Sequence, residues 1–138
     1  MEQQEIAALG ASLREIDPNL LTPAREKDVT KHWYQGGESY FDLFVDLHQG
    51  QVEWFQFTLR GKSLTWKRQN SGWRTGKTNE LQTDDMTFYP GSKLIECDGN
   101  PDWGFIEQAH SILQTRAGEA MFDQILAIFE AEKKRRDR

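Results

Sequence analysis

At 138 residues the chain has the length of one ordinary domain. Aromatic residues at 12% exclude the composition of a disordered chain. A formal charge of −5 and a pI near 5.2 exclude a general electrostatic attraction to nucleic acid or anionic lipid. The single cysteine, Cys97, excludes an intrachain disulfide framework and a cysteine-rich zinc site. Residues Glu2 to Glu5 have neither the basic nor the apolar region of a secretory signal, and no window approaches the roughly 20 apolar residues of a membrane span. With the lone cysteine, these features set the expectation of a cytoplasmic, reducing location.

In chain order, Ile6, Leu9, Leu13 and Ile16 fall at spacings of three and four and predict a helix over Glu5 to Ile16. Gly10 weakens that helix by about 1 kcal/mol relative to alanine. Asp17-Pro18 stops it, because the residue before proline is pushed out of the helical region. Leu20, Leu21 and Pro23 follow as a short apolar connector. From Val29 the period changes to two, predicting a strand over Val29 to Tyr34 that ends at Gly36-Gly37.

Tyr40 to Thr78 is the organising run and reads as consecutive antiparallel strands. Phe41, Leu43, Val45 and Leu47 share one face of the next strand; Tyr40, Asp42, Phe44 and Asp46 share the other. Between this strand and its successor, a two-residue loop at Gln49-Gly50 would place Leu43 against Gln56 and Asp46 against Glu53. A three-residue loop with Gly50 in the left-handed region instead pairs Phe41 with Phe57 and Leu43 with Phe55, so burial favours it. A type II′ turn at Gly61-Lys62 then pairs Leu59 with Leu64 and Phe57 with Trp66. The predicted core face is therefore Phe41, Leu43, Val45, Phe55, Phe57, Leu59, Leu64 and Trp66. On the opposite face, Phe44 and Trp54 are expected to pair.

Trp73 to Thr78 predicts a further strand of ambiguous register. Asn79 to Asp85 reads as a loop, and Met86 to Tyr89 with Lys93 to Cys97 as a short hairpin around Pro90-Gly91-Ser92. Asn100 is the expected N-cap of a helix with Pro101 at its first position. Phe105, Ala109, Ile112 and Leu113 mark its buried face. Gly118 breaks the helical pattern before a second amphipathic helix marked by Phe122, Ile125, Leu126 and Phe129.

The expectation is one α+β domain over residues 1–138. An N-terminal helix and connector occupy 1–28, an antiparallel meander of five to seven strands 29–97, and two packed helices the stretch 100–138. The alternative is a sheet curled into a half-barrel closed by a C-terminal helix. That order of elements is similar to pleckstrin-homology-like domains and by itself implies no function.

Charge is distributed unevenly along the chain. Trp54 to Asn79 contains no Asp or Glu but six cations, Arg60, Lys62, Lys67, Arg68, Arg74 and Lys77, leaving a charge of −11 to the remainder. Aromatic side chains beside cations are the arrangement that binds single-stranded nucleic acid, stacking bases while neutralising phosphates. The same pattern also keeps sheet edges soluble, and no RNP-type motif accompanies it. Candidate binding residues are Tyr40, Phe44, Trp54, Lys67, Arg68, Arg74 and Lys77.

Other patterns carry less. Asp98-Gly99-Asn100-Pro101-Asp102 starts like a calcium loop, but Trp103 and Ala109 stand where the essential glycine and glutamate belong. His32, His48 and His110 lack ligand spacing. There is no Gly-x-Ser-x-Gly elbow, and Gly72 to Lys77 lacks the spacing of a phosphate loop. Lys133 to Arg136 complements a helix C-terminus. With neither catalytic motif nor cofactor or metal signature, the expected function is a non-catalytic protein-interaction or adaptor module, self-association included. The alternatives are a single-stranded nucleic-acid or polyanion binder, and a small-ligand protein or enzyme with a pocket between sheet and helices. No membrane partner is expected.

Overall fold

A computed structural model describes residues 2–17, 28–69, 72–78, 95–97 and 101–136. The predicted loop over Asn79 to Asp85 and the hairpin arm Met86 to Tyr89 lie outside them. The element order is α1 (Gln3–Ser12), β1 (Arg14–Glu15), β2 (Val29–Gln35), β3 (Asp42–His48), β4 (Gln51–Leu59), β5 (Lys62–Lys67), β6 (Arg74–Thr78), β7 (Ile95–Cys97), α2 (Trp103–Gln114) and α3 (Ala120–Arg136). The strands form one antiparallel sheet in simple meander order, β1 to β7. The sheet is open, so the fold is the expected α+β meander rather than the half-barrel.

Helix α1 ends four residues before the predicted boundary. Leu13 turns extended, and Arg14 and Glu15 pair with Gln35 and Tyr34 at the sheet edge. Ile16 belongs to this edge, its N–H donating to the Trp33 carbonyl at 2.8 Å. The short edge strand satisfies backbone groups that a longer helix would leave to solvent.

The first central hairpin is tighter than expected, and the second turns one residue earlier. In the first, Gln49 (φ 52) and Gly50 (φ 80) form a two-residue turn with His48 opposite Gln51. Positive φ at both centres is the type I′ geometry, whose twist matches that of the flanking strands. The like-charged pairing that this turn would impose is avoided by a bulge one rung further in. Leu47 pairs with Val52 but Asp46 pairs with Trp54, leaving Glu53 as the extra residue. The bulge lets Val52 and Phe55, three apart, both face the core.

Three of the backbone groups at the bulge find partners outside the β3–β4 ladder. The Val52 N–H donates to Gln124 Oε1 (3.1 Å), and Arg68 Nη2 donates to the Val52 carbonyl (2.6 Å). The Arg68 N–H donates to the Glu53 carbonyl (2.9 Å). The expected three-residue loop with its Phe41–Phe57 and Leu43–Phe55 pairs is thus replaced by Leu43–Phe57 and Val45–Phe55.

In the second hairpin the turn residues are Arg60 (φ 51) and Gly61 (φ 82), not Gly61-Lys62. Leu59 pairs with Lys62, Phe57 with Leu64 and Phe55 with Trp66. Arg60 is held in place by Glu38 and Glu5, each 2.8 Å from its guanidinium, and hydrogen bonds to Glu38 and then Glu5 raise its pKa. Both registers differ from expectation by two residues, so side-chain alternation survives. All eight predicted core-face residues are buried.

All three helices cover this face, and Leu9, Leu13, Ile112, Phe122 and Phe129 share one apolar cluster with it. Trp73 joins the same side, 4.7 Å from the Phe129 ring and 6.0 Å from that of Phe55.

Helix α2 starts at Trp103 with Asp102, not Asn100, as its cap. Asp102 Oδ1 accepts the Phe105 N–H at 3.1 Å, while the Asp102 N–H donates to Thr75 Oγ1 at 2.7 Å. Anchored to β6 in this way, Asp102 is the side chain that reaches the third helical N–H. That backbone hydrogen bond, ahead of nearby Lys62, draws the Asp102 carboxyl below its ordinary pKa. Gly118, at φ 105, makes the break between α2 and α3 as expected.

Candidate functional site: the outer face of the sheet

The strand registers place a second set of side chains on the face away from the helices. Its rungs run Gln35, Asp42, Thr58, Ser63, Gly76; then Trp33, Phe44, Gln56, Thr65, Arg74; then Lys31, Asp46, Trp54, Lys67. The face is mainly polar, as an antiparallel sheet covered on one side should be. Yet Asp42, Phe44, Gln56, Thr58 and Ser63 are each 7% exposed or less.

Phe44 and Trp54 do not pair. The bulge moves Phe44 opposite Gln56 and Trp54 opposite Asp46, so each aromatic ring has different company. Phe44 stacks on Trp33 at 5.7 Å and 14°, and Trp33 Nε1 donates to Asp42 Oδ1 at 2.9 Å. Trp33 therefore covers Phe44, while α1 lies with the core on the other side. Trp54 remains half-buried, with Asp46 on one side and Lys67 on the other.

The candidate binding residues separate into groups. Lys67 is exposed on the outer face directly opposite Trp54, and Arg74 is exposed on the same face one strand further on. Arg68 is folded onto the Val52 carbonyl and Glu53, with its guanidinium 5.3 Å from the Trp66 ring, and serves the bulge. Lys77 sits opposite Lys62, in line with the core-facing residues. Tyr40 is 44% exposed at a positive φ of 61 in the turn before β3. It stands six positions before Asp46, the partner of Trp54, so it lies roughly 20 Å away along the chain direction of β3.

Trp33 was absent from the candidate set, because its place depends on the β2–β3 register. The orphaned hydroxyls were equally invisible. Thr58 and Ser63 stand opposite each other, and neither hydroxyl has a hydrogen-bond partner among the described residues.

The histidines do not converge. His32 Nδ1 meets Glu15 Oε2 at the β1–β2 edge. His110 stacks on Phe129 at 4.8 Å and lies 3.6 Å from Glu130. Among the described residues, no three His, Cys, Asp or Glu side chains are grouped as metal ligands, and no helix is long and apolar enough to cross a membrane.

Comparison with known proteins finds no matching family model, no matching curated protein and no matching solved structure. The chemistry of the face is therefore the basis for a functional reading.

Proposed function

We propose that this chain is a non-catalytic protein-interaction module, acting as one domain and engaging its partner through the outer face of the sheet. The observation that carries this reading is the position of Trp54. A half-buried tryptophan stands between the half-buried Asp46 and the exposed Lys67 on the face opposite all three helices. Tryptophan at the centre of a polar surface is the residue type that anchors protein interfaces. The lone cysteine, Cys97, supports a cytoplasmic setting for such a contact.

Nucleic acid fits this face less well. Sequence-tolerant strand binding needs successive aromatic platforms for successive bases. Here Phe44 is 7% exposed with Trp33 stacked against it, so the half-buried Trp33 and Trp54, on different strands and different rungs, do not form a run of successive platforms.

Site-specific photo-crosslinking tests the reading. A benzophenone amino acid replacing Trp54 should give protease-sensitive adducts in cells, whereas the same group replacing exposed Glu107 on α2 should not. Adducts only from position 107, or nuclease-sensitive adducts from position 54, would overturn it.

A further inference from the structure

The outer face also carries information about partner chemistry, and this step rests on the interaction reading above. The six cations of the acid-free segment are not equivalent. Arg60 is neutralised by Glu38 and Glu5, Lys62 lies 3.4 Å from Asp102, and Arg68 is bound to the Val52 carbonyl and Glu53. Lys77 lies on the other side of the sheet. Lys67 and Arg74 remain, both exposed on the outer face and neither with an acidic partner among the described residues.

Their spacing follows from the register. Lys67 is directly opposite Trp54, and Arg74 is directly opposite Thr65, two residues before Lys67. Lys67 and Arg74 are therefore diagonal neighbours, about 7–8 Å apart on one face. Two like charges at that distance, close to a Debye length, repel each other unless an anion joins them. An extended polypeptide presents its i and i+2 side chains on one side, about 6.7 Å apart. The two spacings match.

We propose that Trp54, Lys67 and Arg74 form a docking corner for an extended acidic segment of a partner protein. Carboxylates at alternate positions of that segment meet Lys67 and Arg74, and a neighbouring apolar side chain rests on Trp54. The net charge of −5 gives no long-range attraction to such a partner, so recognition depends on these short-range contacts.

Short fluorescein-labelled peptides test the assignment by anisotropy at low and physiological salt. One carries two glutamates at alternate positions beside a leucine, and a composition-matched isomer carries them adjacent. The alternate peptide should bind more tightly and lose affinity with salt. Lys67→Glu with Arg74→Glu should weaken it by at least about tenfold, because both attractive contacts become repulsive. Lys77→Glu, on the opposite side, should change it by less than about twofold. Lys67→Met with Arg74→Gln provides a version without added negative charge, and circular dichroism checks that every variant is folded.

Absence of peptide binding at low salt, or equal binding by the double reversal, would overturn the proposal. So would tighter binding of an oligothymidylate through the same two residues. Protein crosslinks from position 54 that persist in the double reversal would leave the interaction face standing while removing the acidic partner.

Discussion

Gly10→Ala offers a sharp test of how the helices meet, because local and tertiary physics give it opposite signs. In an isolated helix the change would stabilise by about 1 kcal/mol. In this fold an added Cβ at Gly10 stands 1.7 Å from Thr115 Oγ1 and 2.8 Å from the Ile112 carbonyl oxygen. The hydroxyl can rotate away, at the cost of its 2.7 Å bond to that same carbonyl, a loss of about 1 kcal/mol. The carbonyl belongs to the backbone of α2, so α1 itself must shift, and overpacking of this kind typically costs about 1–3 kcal/mol. After the propensity gain is subtracted, a net loss of about 1–3 kcal/mol is expected. For a chain of this size that lowers Tm by about 3–5 °C per kcal/mol. Urea titration of the parent and the variant, with and without Thr115→Ala, measures it. Thr115→Ala should recover part of the loss by removing the hydroxyl but not the carbonyl contact. A Gly10→Ala protein more stable than the parent would refute the close approach of α1 to α2.

Three further outcomes follow from individual contacts. Arg116 donates to the carbonyls of Gly10 and Leu13, pairs with Glu119 and lies 4.9 Å from the Phe122 ring. Arg116→Met keeps the packing but frees the helix-end carbonyls, so urea unfolding should show a loss of about 2 kcal/mol; an unchanged midpoint would refute the capping role. Thr58→Val replaces a buried hydroxyl lacking a partner among the described residues by a methyl group, so stability should be unchanged or about 1 kcal/mol higher. A loss greater than that would show that the hydroxyl is bonded. Asp102 has a lowered pKa in the folded protein, so its charge contributes stability above its unfolded value and loses that contribution as pH falls through the folded one. The stability difference between the parent and Asp102→Asn should thus be constant near neutrality and shrink below about pH 4; a difference that grows on acidification contradicts the assignment.

Side-chain alternation was legible in the chain because it needs only the period of two. Phe41 through Trp66 sort onto one buried face whichever turn is chosen, provided the slip is even. The helix signals around Phe105 and Phe122 were equally local. The turns were not, because residues far along the chain stabilise them. Gln124 on α3 accepts the Val52 N–H and donates to the Gly50 carbonyl at 2.9 Å, while Arg68 binds the Val52 carbonyl. Neither contact has a signature near Gln49-Gly50, so the sequence alone favoured a longer loop without a bulge.

The candidate site divides along the same line. Trp54, Lys67 and Arg74 could be named from the absence of acids between Trp54 and Asn79, a property of the chain itself. Which cations remained available was decided by Glu5, Glu38 and Asp102, remote residues brought beside Arg60 and Lys62 by folding. Gly10 shows the same division: as sequence it weakens a helix, and in the fold it is the gap that lets α1 reach α2. Residue order determined the periodicities, the core face and the local excess of positive charge, because each depends on neighbours. Tertiary structure decided the registers, the covering of Phe44 by Trp33 and the two cations left on the outer face, because each depends on residues distant in sequence.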